Sequence, residues 1–212
     1  MTQFFPKYQK LKWFSKPPIK ILETAESREI AIFQFKESVN IFKDGIVCEG
    51  HDKNSFWNER IGWNEKISYT YEIIDALLRL VKDDSLMMAA YYVRKIPVGI
   101  MAISINRRVW CSQLEFLVTS PGSEAIGSTL IEFYANVHAQ QLDADSRMFV
   151  VPAGDQIGGY KQNLEGFYAH HGFHESGGAS DIRLRLSGSS LWAQDDENNW
   201  HLKSKIGKLS LG

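Results

Sequence analysis

Leu114-Glu115-Phe116-Leu117-Val118-Thr119-Ser120-Pro121-Gly122-Ser123-Glu124-Ala125-Ile126-Gly127-Ser128-Thr129-Leu130 is the stretch whose reading decides the fold. Leu114, Phe116 and Val118 alternate with Glu115, Leu117 and Thr119, which predicts a largely buried strand. Pro121-Gly122-Ser123 breaks it. Ala125-Ile126-Gly127 then opens a helix, continued by Leu130, Ile131, Phe133, Tyr134 and Val137 at helical spacing. A helix N-terminus carries unpaired N–H groups and partial positive charge, and Gly122 and Gly127 keep side chains away from whatever approaches it. Such a turn suits a phosphate or pyrophosphate. The same residues also describe an ordinary strand–turn–helix connection with Ser123 as its cap, and the loop alone does not decide between the two.

Gly122-x-x-x-x-Gly127-Ser128-Thr129 nearly spells a P-loop, but position 128 is serine where the motif needs the lysine that meets the β- and γ-phosphates. The Gly-x-Gly-x-x-Gly dinucleotide fingerprint does not fit either. What remains is a loop for a pyrophosphate that is bound and not cleaved.

The flanking segments supply the rest of the fold. Ile19 to Leu22 predicts a short first strand. Glu26 to Phe42 alternates in part (Ile30, Ile32, Gln34), yet it contains no breaker and is expected to be helical. Lys43 to Trp63 reads as a loop, with Asp44-Gly45 and Glu49-Gly50. Asn64 to Lys82 is the clearest helix, with Ile67, Tyr71, Ile74, Leu78 and Val81 on one face. Leu86–Arg94, Val98–Asn106 and Val109–Val118 predict an antiparallel meander, turning at Lys95-Ile96-Pro97 and Asn106-Arg107-Arg108. Met148–Val151 predicts a strand, Leu164–His171 a helix closed by Gly172, and Ile182–Leu186 a last strand. The expected fold class is mixed α/β, a central and mostly antiparallel sheet flanked by helices. The expected division is an N-terminal extension over 1–18, rich in aromatics and packed on the domain, one domain over 19–187, and a C-terminal tail over 188–212.

Composition sets the function classes. A chain of 212 residues, 44% hydrophobic with 12% aromatics, has the material for a real core. Its formal net charge of -1 provides no basic excess, so neither nucleic acid nor an anionic membrane is expected as a partner. No apolar run resembles a signal-peptide core or approaches membrane-spanning length, which leads us to expect a cytoplasmic protein. Cys48, expected in a loop, and Cys111, expected in a strand, are read as reduced thiols; no metal-ligand spacing is present.

With these elements placed, residues from about Ile19 to Leu186 resemble the GNAT acetyltransferase superfamily. Leu117-Val118-Thr119-Ser120-Pro121-Gly122-Ser123-Glu124-Ala125-Ile126-Gly127 is similar to its acetyl-CoA motif, a strand ending in Val-x-Pro followed by Arg-Gly-x-Gly-x-Gly/Ala. Phe167-Tyr168-Ala169-His170-His171-Gly172-Phe173 is similar to its Phe/Leu-Tyr-x-x-x-Gly-Phe helix ending. The loop departs from the pattern: the usual arginine is absent, with Gly122 or Ser123 near its place, and Ala125 replaces the first motif glycine. The family's frequent glutamate, some six residues before the valine, corresponds to Ser112.

The resemblance implies an N-acetyltransferase that moves the acetyl group of acetyl-CoA directly to an amine in a ternary complex, without a metal. It implies coenzyme binding by Val118, Ser120, Gly122, Ser123, Ala125, Ile126, Gly127 and Ser128, with the backbone N–H near Val118 polarising the acetyl carbonyl. Tyr168 is the implied general acid toward the coenzyme sulfur; by itself it also reads as a tyrosine packed on the sheet. Glu115, the only carboxylate in the strand that feeds the loop, is the candidate base, directly or through water, or else a charge on a solvated face. His170 and His171 are alternative bases, or residues that suit the C-terminal dipole of their helix. His51, Asp52, Glu59, Trp57 and Trp63 lie in the loop that covers the acceptor in this family. The acceptor, a small amine or a protein, stays open, as does homodimer formation. So do two other readings: a catalytically silent GNAT-fold module binding CoA or a protein, and an acetyltransferase toxin or effector.

Overall fold

The structure, a computed structural model, describes residues 18–49, 63–120, 124–150, 166–175 and 182–203, without the side chains of 42–49, 63–66 and 124–125. Residues 1–17, the loop residues His51, Asp52, Trp57 and Glu59, the side chain of Trp63, and Gly122 and Ser123 of the glycine turn lie outside that description. The elements run β1 (Ile19–Leu22), α1 (Ala25–Glu49), α2 (Trp63–Arg79), β2 (Leu86–Val93), β3 (Ile96–Asn106), β4 (Cys111–Thr119), α3 (Glu124–Gln141) and β5 (Arg147–Val150). After a helical segment at 166–170 come β6 (His174–Glu175), β7 (Ile182–Leu184), β8 (Trp192–Gln194) and β9 (Trp200–Leu202).

Seven strands pair in the order β1-β2-β3-β4-β5-β7-β6, all antiparallel except β4 with β5. The parallel step is made by α3, the crossover such a pair requires. Helices α1 and α2 cover one face, where Ile32, Phe35, Val39, Ile74 and Leu77 meet Met88, Ala90, Ile100 and Val118. On the other face α3 carries Leu130, Ile131, Phe133, Tyr134 and Val137 against Met87, Met101, Ile103 and Leu114.

Local chemistry explains where several elements begin and turn. Thr24 Oγ1 accepts from the Ser27 amide and Ser27 Oγ accepts from the Thr24 amide, both at 3.1 Å, a reciprocal cap for α1. The helix then runs through Asp44-Gly45 to Glu49, past the loop start expected at Lys43. One glycine costs a helix about 1 kcal/mol relative to alanine, too little to end it between good helix formers. Arg28, buried on α1, donates to the carbonyls of Leu22, Val81, Asp83 and Leu86 at 2.8 to 3.1 Å and so ties β1 to the α2–β2 connection. The first hairpin turns at Arg94-Lys95, both left-handed (φ 49° and 70°), one residue before the expected place. Pro97 therefore falls inside β3, beside a register shift opposite Tyr91 and Tyr92, a position that tolerates a residue without an N–H.

The residues expected as a tail from 188 are described as far as Lys203, and in that part they form the β8–β9 hairpin lying on α3. Trp192, Trp200 and Leu202 belong to the same core as α3. Asn136 behaves like a strand neighbour of Trp200: its Oδ1 accepts the Trp200 amide at 2.7 Å and its Nδ2 donates to the Trp200 carbonyl at 2.9 Å. Glu132 Oε1 accepts the Leu202 amide at 3.2 Å. Helix α3 is thus enclosed between sheet and hairpin, which is why residues 130–138 are all buried.

Gly99 sets how closely α3 lies on β3. A Cβ there would stand 2.8 Å from Ile126 Cγ2 and 3.0 Å from Leu130 Cδ1. Gly99→Ala is expected to cost about 1–3 kcal/mol, the usual range for overpacking, read as a lower urea midpoint at unchanged slope. A wild-type midpoint would refute this close approach.

A second prediction concerns acid stability. His138, fully buried on α3, has its pKa lowered to about 4 chiefly by burial. Its Nδ1 lies 2.7 Å from Ser112 Oγ, which in turn lies 2.9 Å from the Tyr134 hydroxyl. The unfolded chain binds a proton at this ring below pH 6.5 and the folded chain does not until about pH 4. Between those values His138 should therefore remove stability on acidification, at about 1.4 kcal/mol per pH unit. Denaturation midpoints from pH 7 to 4 check it: His138→Asn, which keeps a partner for Ser112, should show a flatter profile in that window.

Candidate active site

The decisive local feature is a bulge in β4. Leu114 faces Ile103 and Phe116 faces Ala102, which leaves Glu115 as an extra residue with no opposite number on β3. Before it, Ser112 and Leu114 point to the α3 face; after it, Phe116 and Val118 point to the α1/α2 face and Leu117 to the α3 face. The expectation of one alternation from Leu114 to Val118 is corrected here, because the inserted residue reverses the phase. The described residues of β5 end at Val150, which lies opposite Leu114.

The Glu115 carboxylate accepts from Ser104 Oγ at 2.6 Å and from Gln113 Nε2 at 3.0 Å, half-buried. These partners alternate with Ile103 and Leu114, so the carboxylate lies on the α1/α2 side. Ser112 is buried in the bonds to His138 and Tyr134. Burial holds the Tyr134 hydroxyl far above its ordinary pKa range, so this trio stays uncharged near neutral pH.

Helix α3 begins at Glu124, and the N–H groups of its first four residues, through Gly127, have no partner within the helix. Of the expected coenzyme residues, Val118 is buried toward α1 and α2, and Ser120 is buried with its amide on the Val98 carbonyl at 2.8 Å. Ala125 is described only as a helical residue. Ile126 packs against the core beside Gly99. Gly127 is buried, and a Cβ on it would meet the Phe167 ring at 3.2 Å. Its smallness therefore serves the close packing of Phe167 on α3. Ser128, the fifth helical residue, directs its hydroxyl at His171 Nε2, 3.0 Å away.

Tyr168 is buried in the α3-side core, edge-on to Phe167 and Phe173 with centroids 5.2 and 5.8 Å apart. Gly172 at φ 85° turns the chain after it, and the Phe173 amide returns to the Tyr168 carbonyl at 3.1 Å. Glu115 and Tyr168 thus belong to opposite faces of the sheet. His170 is exposed, whereas His171 is buried and hydrogen-bonded at both ring nitrogens. The sequence expectation for His171, a dipole-suited helix end or a base, missed this inward contact; the paired signal was Ser128 on α3 and an imidazole directly before Gly172.

A shallow cavity of about 280 Å³, lined in part by Trp110, Asp143, Arg147 and Arg185, lies at the C-terminal end of α3. It is at the other end of that helix from the glycine turn. Among the described residues no group of histidine, cysteine, aspartate and glutamate could hold a metal ion, and no helix is long and apolar enough to cross a membrane. Cys111 is a half-buried free thiol.

No protein-family model and no curated protein matches the sequence. Among solved structures, the chain is similar to the PaiA N-acetyltransferase of Thermoplasma acidophilum in complex with coenzyme A. The identity is 20%, over 78% of this chain and 96% of that one, with a TM-score of 0.41. It is similar to a GNAT family acetyltransferase from Brucella melitensis in complex with acetyl-CoA at 17% identity, over 81% and 90% of the two chains, TM-score 0.43. Mutant forms of the spermidine/spermine N-acetyltransferase SpeG of Vibrio cholerae align at 13% identity over 92% and 99%, TM-score 0.43. These structural neighbours are acetyltransferases; the chain's own fold is mixed α/β, with a large, mostly antiparallel sheet flanked by helices.

Proposed function

We propose that this chain transfers the acetyl group of acetyl-CoA to an amine acceptor, directly and within a ternary complex. One juxtaposition supports the reading: the Glu115 bulge interrupts β4, and after the same strand α3 opens with a first turn whose N–H groups have no partner within the helix. Backbone groups from Gly122 to Gly127 would hold the pyrophosphate. A backbone N–H near Val118 would donate to the acetyl carbonyl oxygen, polarising it and stabilising the negative charge that develops there.

The amine nitrogen attacks the carbonyl carbon with its lone pair, forming the C–N bond. Collapse of the tetrahedral centre breaks the C–S bond, and the departing sulfur takes the Tyr168 hydroxyl proton. The surplus amine proton passes to Glu115, directly or through water, and solvent resets both groups. Each Glu115 oxygen accepts one described hydrogen bond, which leaves acceptor capacity for that proton. A second reading, a silent coenzyme-binding module, draws support from Ser112, whose hydroxyl is taken up in the buried bonds to Tyr134 and His138 where the family has a carboxylate.

Acetyl-CoA is expected to bind with a dissociation constant between low micromolar and sub-millimolar, and at a hundredfold excess over it to stabilise the fold by about 2.7 kcal/mol. Thermal-shift and calorimetric titrations measure this; no response at millimolar coenzyme removes the acetyl-transfer reading. Binding without transfer across a broad amine panel, and without thioester hydrolysis, favours the silent module.

Tyr168→Phe tests the acid. Turnover should fall about ten- to a thousandfold while acetyl-CoA affinity stays level. Thioester hydrolysis can serve as the readout before an acceptor is known. Unchanged turnover would leave Tyr168 as a packing residue, with water or substrate protonating the sulfur.

A further inference from the structure

His171 lies where three parts of the candidate site meet, and it is 1% exposed. Its Nδ1 donates to the Phe167 carbonyl at 2.7 Å, which leaves Nε2 of the neutral ring to accept the Ser128 hydroxyl proton at 3.0 Å. Its carbonyl accepts the Trp192 indole N–H at 2.9 Å, anchoring it to β8. The ring sits 4.5 Å from that of Phe167, whose edge closes on Gly127. One side chain therefore connects the first turns of α3 with the segment that bears Tyr168.

We propose that His171 is the positioning residue of the coenzyme site: through Ser128 it fixes the opening turn of α3 against the helical segment of Tyr168. The proposal rests on the acetyl-transfer reading and adds a residue that touches neither substrate. A diphosphate bound by backbone N–H groups depends on their direction, since a hydrogen bond weakens steeply as its angle falls. An apolar side chain at 171 would fill the same volume, but the imidazole adds two directional bonds, one to each segment. With Nδ1 committed to Phe167, the ring cannot turn without breaking both.

The test uses full-length His171→Phe, His171→Gln, Ser128→Ala and the His171→Phe/Ser128→Ala double variant, at a temperature well below all their unfolding midpoints. In His171→Phe, acetyl-CoA affinity by calorimetry should fall about five- to tenfold, the size of one neutral hydrogen bond. Amides of 126–130 should exchange with deuterium faster in the absence of coenzyme. His171→Gln, whose amide can still meet Ser128, should recover most of both, and the double variant should be no weaker than His171→Phe alone. Unchanged exchange overturns the proposal whatever the coenzyme does. Wild-type binding with unchanged affinity in folded His171→Phe overturns it while sparing the acetyl-transfer reading. If the wild type binds no acetyl-CoA, both fall together.

Discussion

The extra residue in β4 is the constraint from which the site follows. A strand buried on both faces repeats every two residues, so its side chains cannot change face without an insertion. Glu115 is that insertion. It lets the first half of β4 give Ser112 and Leu114 to α3 while the second half gives Phe116 and Val118 to α1 and α2. A regular strand here would have kept Leu114, Phe116 and Val118 on one face, as their alternation in sequence suggests.

Once β4 has turned, the position of α3 depends on two places without side chains. Gly99 lets Ile126 and Leu130 press onto β3, and Gly127 lets Phe167 press onto α3 from the other side. The helix is then closed from behind by the β8–β9 hairpin, through Asn136 and Glu132. Burying two polar side chains in mid-helix is tolerable only because each finds backbone partners in the hairpin. The result is a helix whose opening turn is held by neighbours on several sides, a suitable base for backbone N–H groups that must point at a ligand.

Most of the architecture was legible because its signals are local: the period of α2, the three strands of the meander, and the change from strand to helix between Thr119 and Glu124. What escaped depends on contacts distant in sequence. The hairpin at 192–202 consists of two three-residue strands in a polar stretch, and its place comes from distant partners, Asn136 and Glu132 on α3 and the His171 carbonyl. Gly122 and Gly127 read as room for a phosphate, yet Gly127 is also small because Phe167, forty residues later, lies against it. The Glu115 bulge leaves no mark of its own in the sequence, since a bulge is a property of the pairing and not of one strand. Ser128 likewise reads as a loop ligand until the fold brings His171 to its hydroxyl.

The bulge also divides the chemistry available along β4. Upstream, Ser112, Tyr134 and His138 form a closed polar trio inside the α3 core, and burial keeps both ionisable members uncharged near neutrality. A carboxylate at position 112 would be expensive there, because it would enter a fully buried environment whose neighbouring imidazole resists the proton needed to pair with it. The serine is therefore consistent with its surroundings, and any proton acceptor belonging to this strand has to come from the bulge or beyond. Glu115 meets that condition: it is half-buried, already oriented by Ser104 and Gln113, and lies on the opposite face from the trio. The irregularity that reverses the phase of β4 also supplies the one carboxylate of that strand.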